Sequence, residues 1–333
     1  MTNHPPVLPP SALDRNLALE CARVTEASAL AAAGLMGRGD DKAADEAACA
    51  AMRQALNGLQ MNGVIVNGEG EDSDQPLHSG ERVGKGDGGP RVDIVLAALE
   101  GRTVCAKGGH NALSVVALTE EGSFLRVPNG VYMHKIATGP GLPADVVDLD
   151  LPAEDNLARV AEARRVAVSD LTVCVLDRPR HEDLIGRLYD AGARVVLIDD
   201  GDISGALAAG LAETGIDLYM GLGGAAQGVL AAAGLKCMGG QMQCRLMPRN
   251  DDQRARCRAA GIEDLARRYD IDDMVRGEVM FAATGVTDGH VVKGVKLFSG
   301  ERGVSHSLVM RSTTGTIRYL TVHHDFQWAR SGR

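Results

Sequence analysis

"LTVCVLDRPRHEDLIGRLYDAGARVVLIDDGDISGALAAGLAE", Leu171 to Glu213, decides the fold. The apolar run LTVCVL meets the polar turn DRPR and then the helix-patterned HEDLIGRLYDAGA; RVVLI meets DDGD and then ISGALAAGLAE. A third unit follows, in which DLYM (217–220) leads through GLGGAAQG into VLAAAG. Three strand–turn–helix units in series predict parallel strands joined by crossover helices, and so an α/β protein. Open α/β sheets bind ligands beyond the carboxyl ends of their strands, and each polar motif here stands at such an end. Arg178, Pro179 and Arg180 put two guanidinium forks on a stiff turn, a geometry suited to phosphate, with solvated loop arginines as the competing reading. Asp200 and Asp202, on either side of Gly201, suit sugar hydroxyls or a helix cap. Gly221, Gly223 and Ala226 partly match a dinucleotide fingerprint, which leaves a dinucleotide-dependent enzyme as an alternative; no acidic strand end follows about 20 residues later to support it.

Toward the N-terminus, "KAADEAACAAMRQALNGL" (42–59) reads as a helix with Asp45, Cys49, Met52 and Leu56 on one face. A carboxylate in that stripe costs several kcal/mol unless it is paired or coordinating. The short strand "GVIVN" (63–67) runs into "GEGEDSDQP", where Glu69, Glu71, Asp72 and Asp74 crowd together. Such a run is a solvated acidic loop or a divalent-cation site. The glycine-rich "ERVGKGDGGPRVD" (81–93) lacks the Lys-Ser/Thr pair of a Walker loop and reads as a connector. It opens "VDIVLAALEGRT" (92–103), an apolar strand with Glu100 at its exit. The tail "VSHSLVMRSTTGTIRYLTVHH" (304–324) reads as two strands around a Thr-Gly turn.

The chain has 333 residues, 45% of them apolar, enough for one large or two modest domains. The expected division is 1–165, an α+β half with the acidic motifs, and 166–333, an α/β half. With 44 acidic against 35 basic residues and no dense Lys/Arg cluster, a general grip on nucleic acid is excluded. Seven scattered cysteines without a Cys-x-x-Cys pair argue for reduced thiols and against a structural zinc site. No apolar run approaches membrane-spanning length, and the proline-bearing "MTNHPPVLPP" does not read as a secretory signal; a cytoplasmic protein is expected.

Taken in order, "RVTEASALAAAGLMGRGDDKAADEAACAAMRQAL", "NGEGE", "AKGGHNALSVVAL", "GPGLPADVVDLDLP", "LDRPRHEDLI", "DDGDISG", "GLGGAAQGV", "GGQMQCRL" and "MFAATGVTDG" resemble the class II fructose-1,6-bisphosphatase family, from about Glu20 to Phe326. The resemblance implies the lithium-sensitive sugar-phosphatase fold, a layered α/β/α/β/α sandwich. It also implies hydrolysis of the 1-phosphate of fructose 1,6-bisphosphate, or sedoheptulose 1,7-bisphosphate in some relatives, with Mn2+ or Mg2+, in a homo-oligomer. By the same resemblance Asp45 and Glu69 hold a first metal, and Glu100 and Gln227 are what remains of a second metal site. Substrate-binding positions correspond to Glu100, Gly101, Arg102, Tyr132, Arg178, Pro179, Arg180, Asp200, Gly201, Asp202 and Gly224, with Glu100 and Arg102 at the catalytic positions.

The departures cluster at the second metal. Where the family reads Asp-Pro-Ile/Leu-Glu-Gly-Thr, this chain has Ala97-Ala98-Leu99-Glu100-Gly101-Arg102; Gln227 replaces a glutamate, and Ser73 an aspartate. Thr103 lies one place late, and a one-residue shift in a strand reverses side-chain direction. Losing an ion's ligands removes several kcal/mol of transition-state stabilisation, at tenfold in rate per about 1.4 kcal/mol. The expectation is therefore a phosphatase of reduced activity, or a sugar-phosphate-binding paralogue or partner subunit that does no chemistry.

Overall fold

The computed structural model describes residues 17–70, 74–86, 88–299 and 301–327. Helices α1 (Leu17–Ala33) and α2 (Asp41–Asn57) come first, then β1 (Asn62–Asn67), β2 (Arg82–Val83), β3 (Arg91–Glu100), α3 (Arg102–Lys107), β4 (Leu113–Glu120) and β5 (Tyr132–Thr138). The middle of the chain runs α4 (Ala153–Arg164), β6 (Thr172–Leu176), α5 (Glu182–Asp190), β7 (Arg194–Ile198), α6 (Asp202–Gly210), β8 (Leu218–Gly224), α7 (Ala225–Met238) and β9 (Gln241–Met247). It closes with α8 (Asp251–Ala259), β10 (Tyr269–Asp270), α9 (Ile271–Met274), β11 (Met280–Gly285), β12 (Lys296–Phe298), β13 (Arg302–Arg311) and β14 (Thr316–Asp325).

Two mixed sheets form. One has the order β12-β13-β11-β4-β3-β1-β2 with β14 on the outer side of β13; the other is β10-β9-β5-β8-β6-β7. Helices α1 and α2 cover the outer face of the first sheet through Val24, Ala29, Ala48, Met52 and Leu56. Helices α6 and α7 lie between the sheets, and α4 and α5 cover the far side of the second through Leu157, Val160 and Leu188. That is the expected α/β/α/β/α sandwich. Helix α7 is buried nearly all round, which is why "AAQGVLAAAGLKCM" carries no polar face: with a sheet on either side, small apolar residues are wanted at every angle.

The three decisive units form as expected: β6 runs parallel to both β7 and β8. Beyond them the second sheet is antiparallel, because β5 pairs with β8 and β9 in opposite directions. The third unit differs in detail. Its strand does not stop at Met220 but continues through Gly224, so "GLGG" is strand and "AAQ" opens the helix. Gly221 and Gly223 pair across β5 with Lys135 and Met133 and are not part of a phosphate-cradling turn; the dinucleotide reading has no structural basis there. The sheets also do not part at 165/166, since the first gathers residues 62–120 and 280–325 while the second gathers 132–270.

Candidate active site

Strand β3 is buried on both faces, as its apolar run from Ile94 to Leu99 requires. Val95 and Ala97 face the inner helical layer, and Ile94, Leu96 and Ala98 face α1 and α2. Simple alternation would put Glu100 on the outer face. A bulge between Ala97 and Glu100 intervenes: Ala97 pairs with Val115 but Glu100 pairs with Leu113, both inner-face residues. The extra residue turns Glu100 inward, which is how bulges re-aim side chains beside active sites. Glu100 Oε1 accepts the Ile203 N–H at the start of α6 at 2.6 Å, and Oε2 is buried without a partner. Burial holds this carboxyl well above the usual range, against the opposing Ile203 hydrogen bond.

The same cleft holds a second buried acidic group. Glu69, at the end of β1, accepts the Ala98 N–H at 2.8 Å; burial, reinforced by Asp45, pushes its pKa up to about 7. Asp45 lies at the margin of the apolar stripe of α2, not within it: Ala44, Ala48, Cys49, Met52 and Leu56 are the buried residues. Asp45 Oδ2 meets Arg102 Nη1 at 3.3 Å, while Oδ1 is buried without a partner. Arg102 reaches it because Gly101, in the left-handed region at φ 81°, turns β3 sharply into α3. Residues 102 and 103 are therefore helical and about 100° apart around the axis. The strand-reversal expectation for Thr103 is corrected: Thr103 lines the same cleft as Arg102.

On the other wall, Lys135 is only 1% exposed and its Nζ donates to Asp202 Oδ2, whose Oδ1 accepts the buried Tyr219 hydroxyl. Gly223 is a glycine for this reason, since a Cβ there would lie 2.1 Å from Asp202 Oδ2 and 3.0 Å from Lys135 Nζ. Lys135 and Tyr219 were missed in the sequence. The signal was present: in "YMHKIAT", Met133, Lys135 and Ala137 share one face, and a lysine on a buried strand face needs a carboxylate.

The turn between β6 and α5 is pinned by His181, also unforeseen. Its Nδ1–H donates to Leu176 O at 2.8 Å, and Nε2 accepts the Leu222 N–H at 2.8 Å, so the ring is neutral and of fixed tautomer. Burial lowers its pKa. Arg180 Nε donates to Leu222 O at 2.9 Å, and Arg180 and Arg249 lie 5.2 and 4.6 Å from the Tyr132 ring centroid. His181→Phe keeps the volume but strands the Leu222 N–H, and should cost roughly 1–3 kcal/mol in urea unfolding at pH 7.5. Because the folded pKa is depressed, this contribution is complete above the unfolded value of about 6.5 and is lost as pH falls through the folded one. The gap between variant and parent is expected to narrow at pH 5.5.

Glu69, Glu100, Gly101 and Arg102 from one side, and Tyr132, Arg178, Arg180, Asp200, Asp202, Gly224 and Gln227 from the other, line a single cleft of about 270 Å3. Asp45 adjoins it through Arg102, and Pro179 and Gly201 shape its turns, Gly201 in the left-handed region at φ 95°. Glu71, Asp72 and Ser73 lie outside the described residues. The divalent cation implied by the resemblance finds a poor seat. The Ala97 side chain offers no oxygen, the Gln227 amide folds back over Gly224, and Arg102 already stands on Asp45. No group of three or more His, Cys, Asp or Glu among the described residues is placed to hold a metal. The cleft sets Arg102, Arg178 and Arg180 beside Glu69, Glu100, Asp200 and Asp202.

No described helix is long and apolar enough to cross a membrane. The family model described as "Bacterial fructose-1,6-bisphosphatase, glpX-encoded" matches residues 15–324. A "D-fructose 1,6-bisphosphatase class 2/sedoheptulose 1,7-bisphosphatase" of Synechococcus sp. (strain JA-3-3Ab) is 41% identical over 96% of this chain and 99% of its own. A "Fructose-1,6-bisphosphatase class 2" of Haemophilus influenzae is 39% identical over 94% of this chain and 97% of its own. With its fold, its cleft and these relatives in agreement, the chain belongs to the class II fructose-1,6-bisphosphatase family.

Proposed function

We propose that this protein binds fructose 1,6-bisphosphate, or the seven-carbon 1,7-bisphosphate, in the cleft and hydrolyses the 1-phosphate at a strongly reduced rate. The observation that carries the reading is the asymmetry of the cleft. The wall that would hold a sugar phosphate keeps Tyr132, Arg178, Arg180, Asp200 and Asp202, whereas the wall that would hold ions carries Ala97, Arg102 and Gln227. Arg178 and Arg180 donate to phosphate oxygens; Asp200 and Asp202 accept from sugar hydroxyls. Glu100, with an unpartnered oxygen and a raised pKa, is the group suited to hold or pass a proton. When bound, Mn2+ or Mg2+ would supply the lowered water pKa that this reaction needs, and the ligand set gives either ion little hold. The reading carries with it a cytoplasmic, homo-oligomeric protein. A second reading, a sugar-phosphate-binding paralogue or partner subunit without turnover, is favoured by the same three replacements.

The test is calorimetric titration with both bisphosphates. Binding is expected to weaken at least tenfold in Arg180→Ala, the loss of one charged hydrogen-bonding partner. A variant that binds as well as the parent places the phosphate elsewhere.

A further inference from the structure

We infer that the Arg102 guanidinium is the resident cation of this cleft, standing against Asp45 and Glu69 in place of a divalent ion, so that a sugar phosphate binds here to the chain's own charges without metal. The inference rests on the proposed sugar-phosphate cleft and adds what neutralises it.

Four observations converge on it. Arg102 Nη1 contacts Asp45 Oδ2 at 3.3 Å, and Glu69 adds to the attraction. A divalent ion at that position would face a fixed positive charge already on one of its two carboxylates, and like charges at such range repel. Second, Asp45, Glu69 and Glu100 each have one oxygen already engaged, by Arg102 and by the Ala98 and Ile203 N–H groups respectively. A hard cation wants several carboxylate oxygens at once, and among the described residues no group of three or more His, Cys, Asp or Glu is placed to supply them. Third, the neutral Ala97 and Gln227 remove the charge that would make a bound ion worth its dehydration. Fourth, Arg102 spends one N–H on Asp45 and its side chain is 59% exposed, which leaves a planar fork of donors open toward the cleft. A threonine here would free Asp45 for an ion; the arginine occupies it and offers its remaining donors to phosphate.

The test uses the full chain and two probes, MnCl2 and fructose 1,6-bisphosphate, with calorimetry and thermal unfolding. For the parent, affinity for the sugar in EDTA is expected to match that in Mn2+ within about twofold, and Mn2+ alone should leave the melting temperature unmoved. For Arg102→Thr, Mn2+ alone should raise the melting temperature by several degrees, and sugar affinity should fall at least tenfold in EDTA and recover in Mn2+. Arg102→Lys, which keeps the charge, should stay insensitive to EDTA. Loss of parent binding in EDTA, or a melting shift of the parent with Mn2+ alone, overturns the inference. Absence of sugar binding under every condition overturns the functional reading instead, and the Mn2+ comparison of parent and Arg102→Thr then still decides whether Arg102 excludes the ion.

Discussion

The triple variant Ala97→Asp, Arg102→Thr, Gln227→Glu is expected to release phosphate from fructose 1,6-bisphosphate in Mn2+ at least ~10³-fold faster than the parent. The three changes restore two anionic ligands and remove a competing cation within one cleft. Each alone should do far less, since residues that act as a unit are strongly non-additive. Arg102→Thr is expected to be the most productive single change because it frees Asp45. There is a cost. Ala97 is buried on the inner face of β3, and a carboxylate there loses its hydration, so the triple variant should be less stable than the parent by a few kcal/mol in EDTA. Mn2+ should restore much of that by binding the folded state. Single-turnover phosphate release with unfolding curves in both buffers checks both halves. A variant that gains Mn2+-dependent stability and no rate would place the barrier to turnover elsewhere in the cleft.

Lys135→Met is expected to destabilise the fold by about 3–5 kcal/mol, the range for breaking a buried ion pair from one side. The ammonium is the buried cation beside Asp202 and helps offset Glu100 across the cleft. Without it Asp202 is left in a protein interior with only the Tyr219 hydroxyl on Oδ1. Adding Asp202→Asn should recover part of the loss, because the uncompensated charge is then gone. Urea unfolding of the two single variants and the double variant gives the coupling directly. Losses in the double variant equal to the sum of the singles would mean the two groups are not coupled, against the geometry.

Much of this was legible in the sequence because strand and helix punctuation is local. The three units of 171–234 and the hairpin of β13 and β14 follow from runs, turns and glycines. The extended β8 was not legible: "GLGG" reads as a loop until β5 is there to pair with it. Of the site residues carried by motifs at strand ends, Arg178, Arg180, Asp200, Asp202, Gly224 and Gln227 reach one cleft, while Pro179 and Gly201 stay in its turns. What escaped depended on pairings distant in sequence. The bulge that turns Glu100 inward exists only in register with Leu113 and Val115. Lys135 and Tyr219 acquire meaning only when Asp202 arrives between them, and His181 only when Leu222 and Leu176 close around its ring. The ion pair of Arg102 with Asp45 joins residues 57 apart in the chain; the replacement itself was visible, its partner was not.

On the proposed reading, the sugar-phosphate cleft is kept while the hydrolytic metal chemistry is weakened. The measurement that meets it most directly is inorganic phosphate release from fructose 1,6-bisphosphate in Mn2+ and then Mg2+, made beside calorimetric binding of the same sugar. Saturable binding with release at least ~10³-fold below the 1–10³ s⁻¹ common for enzymes is the result expected. Metal-dependent release at ordinary enzyme rates would contradict it, and would show that Arg102 and Gln227 belong to a working variant of the family's site.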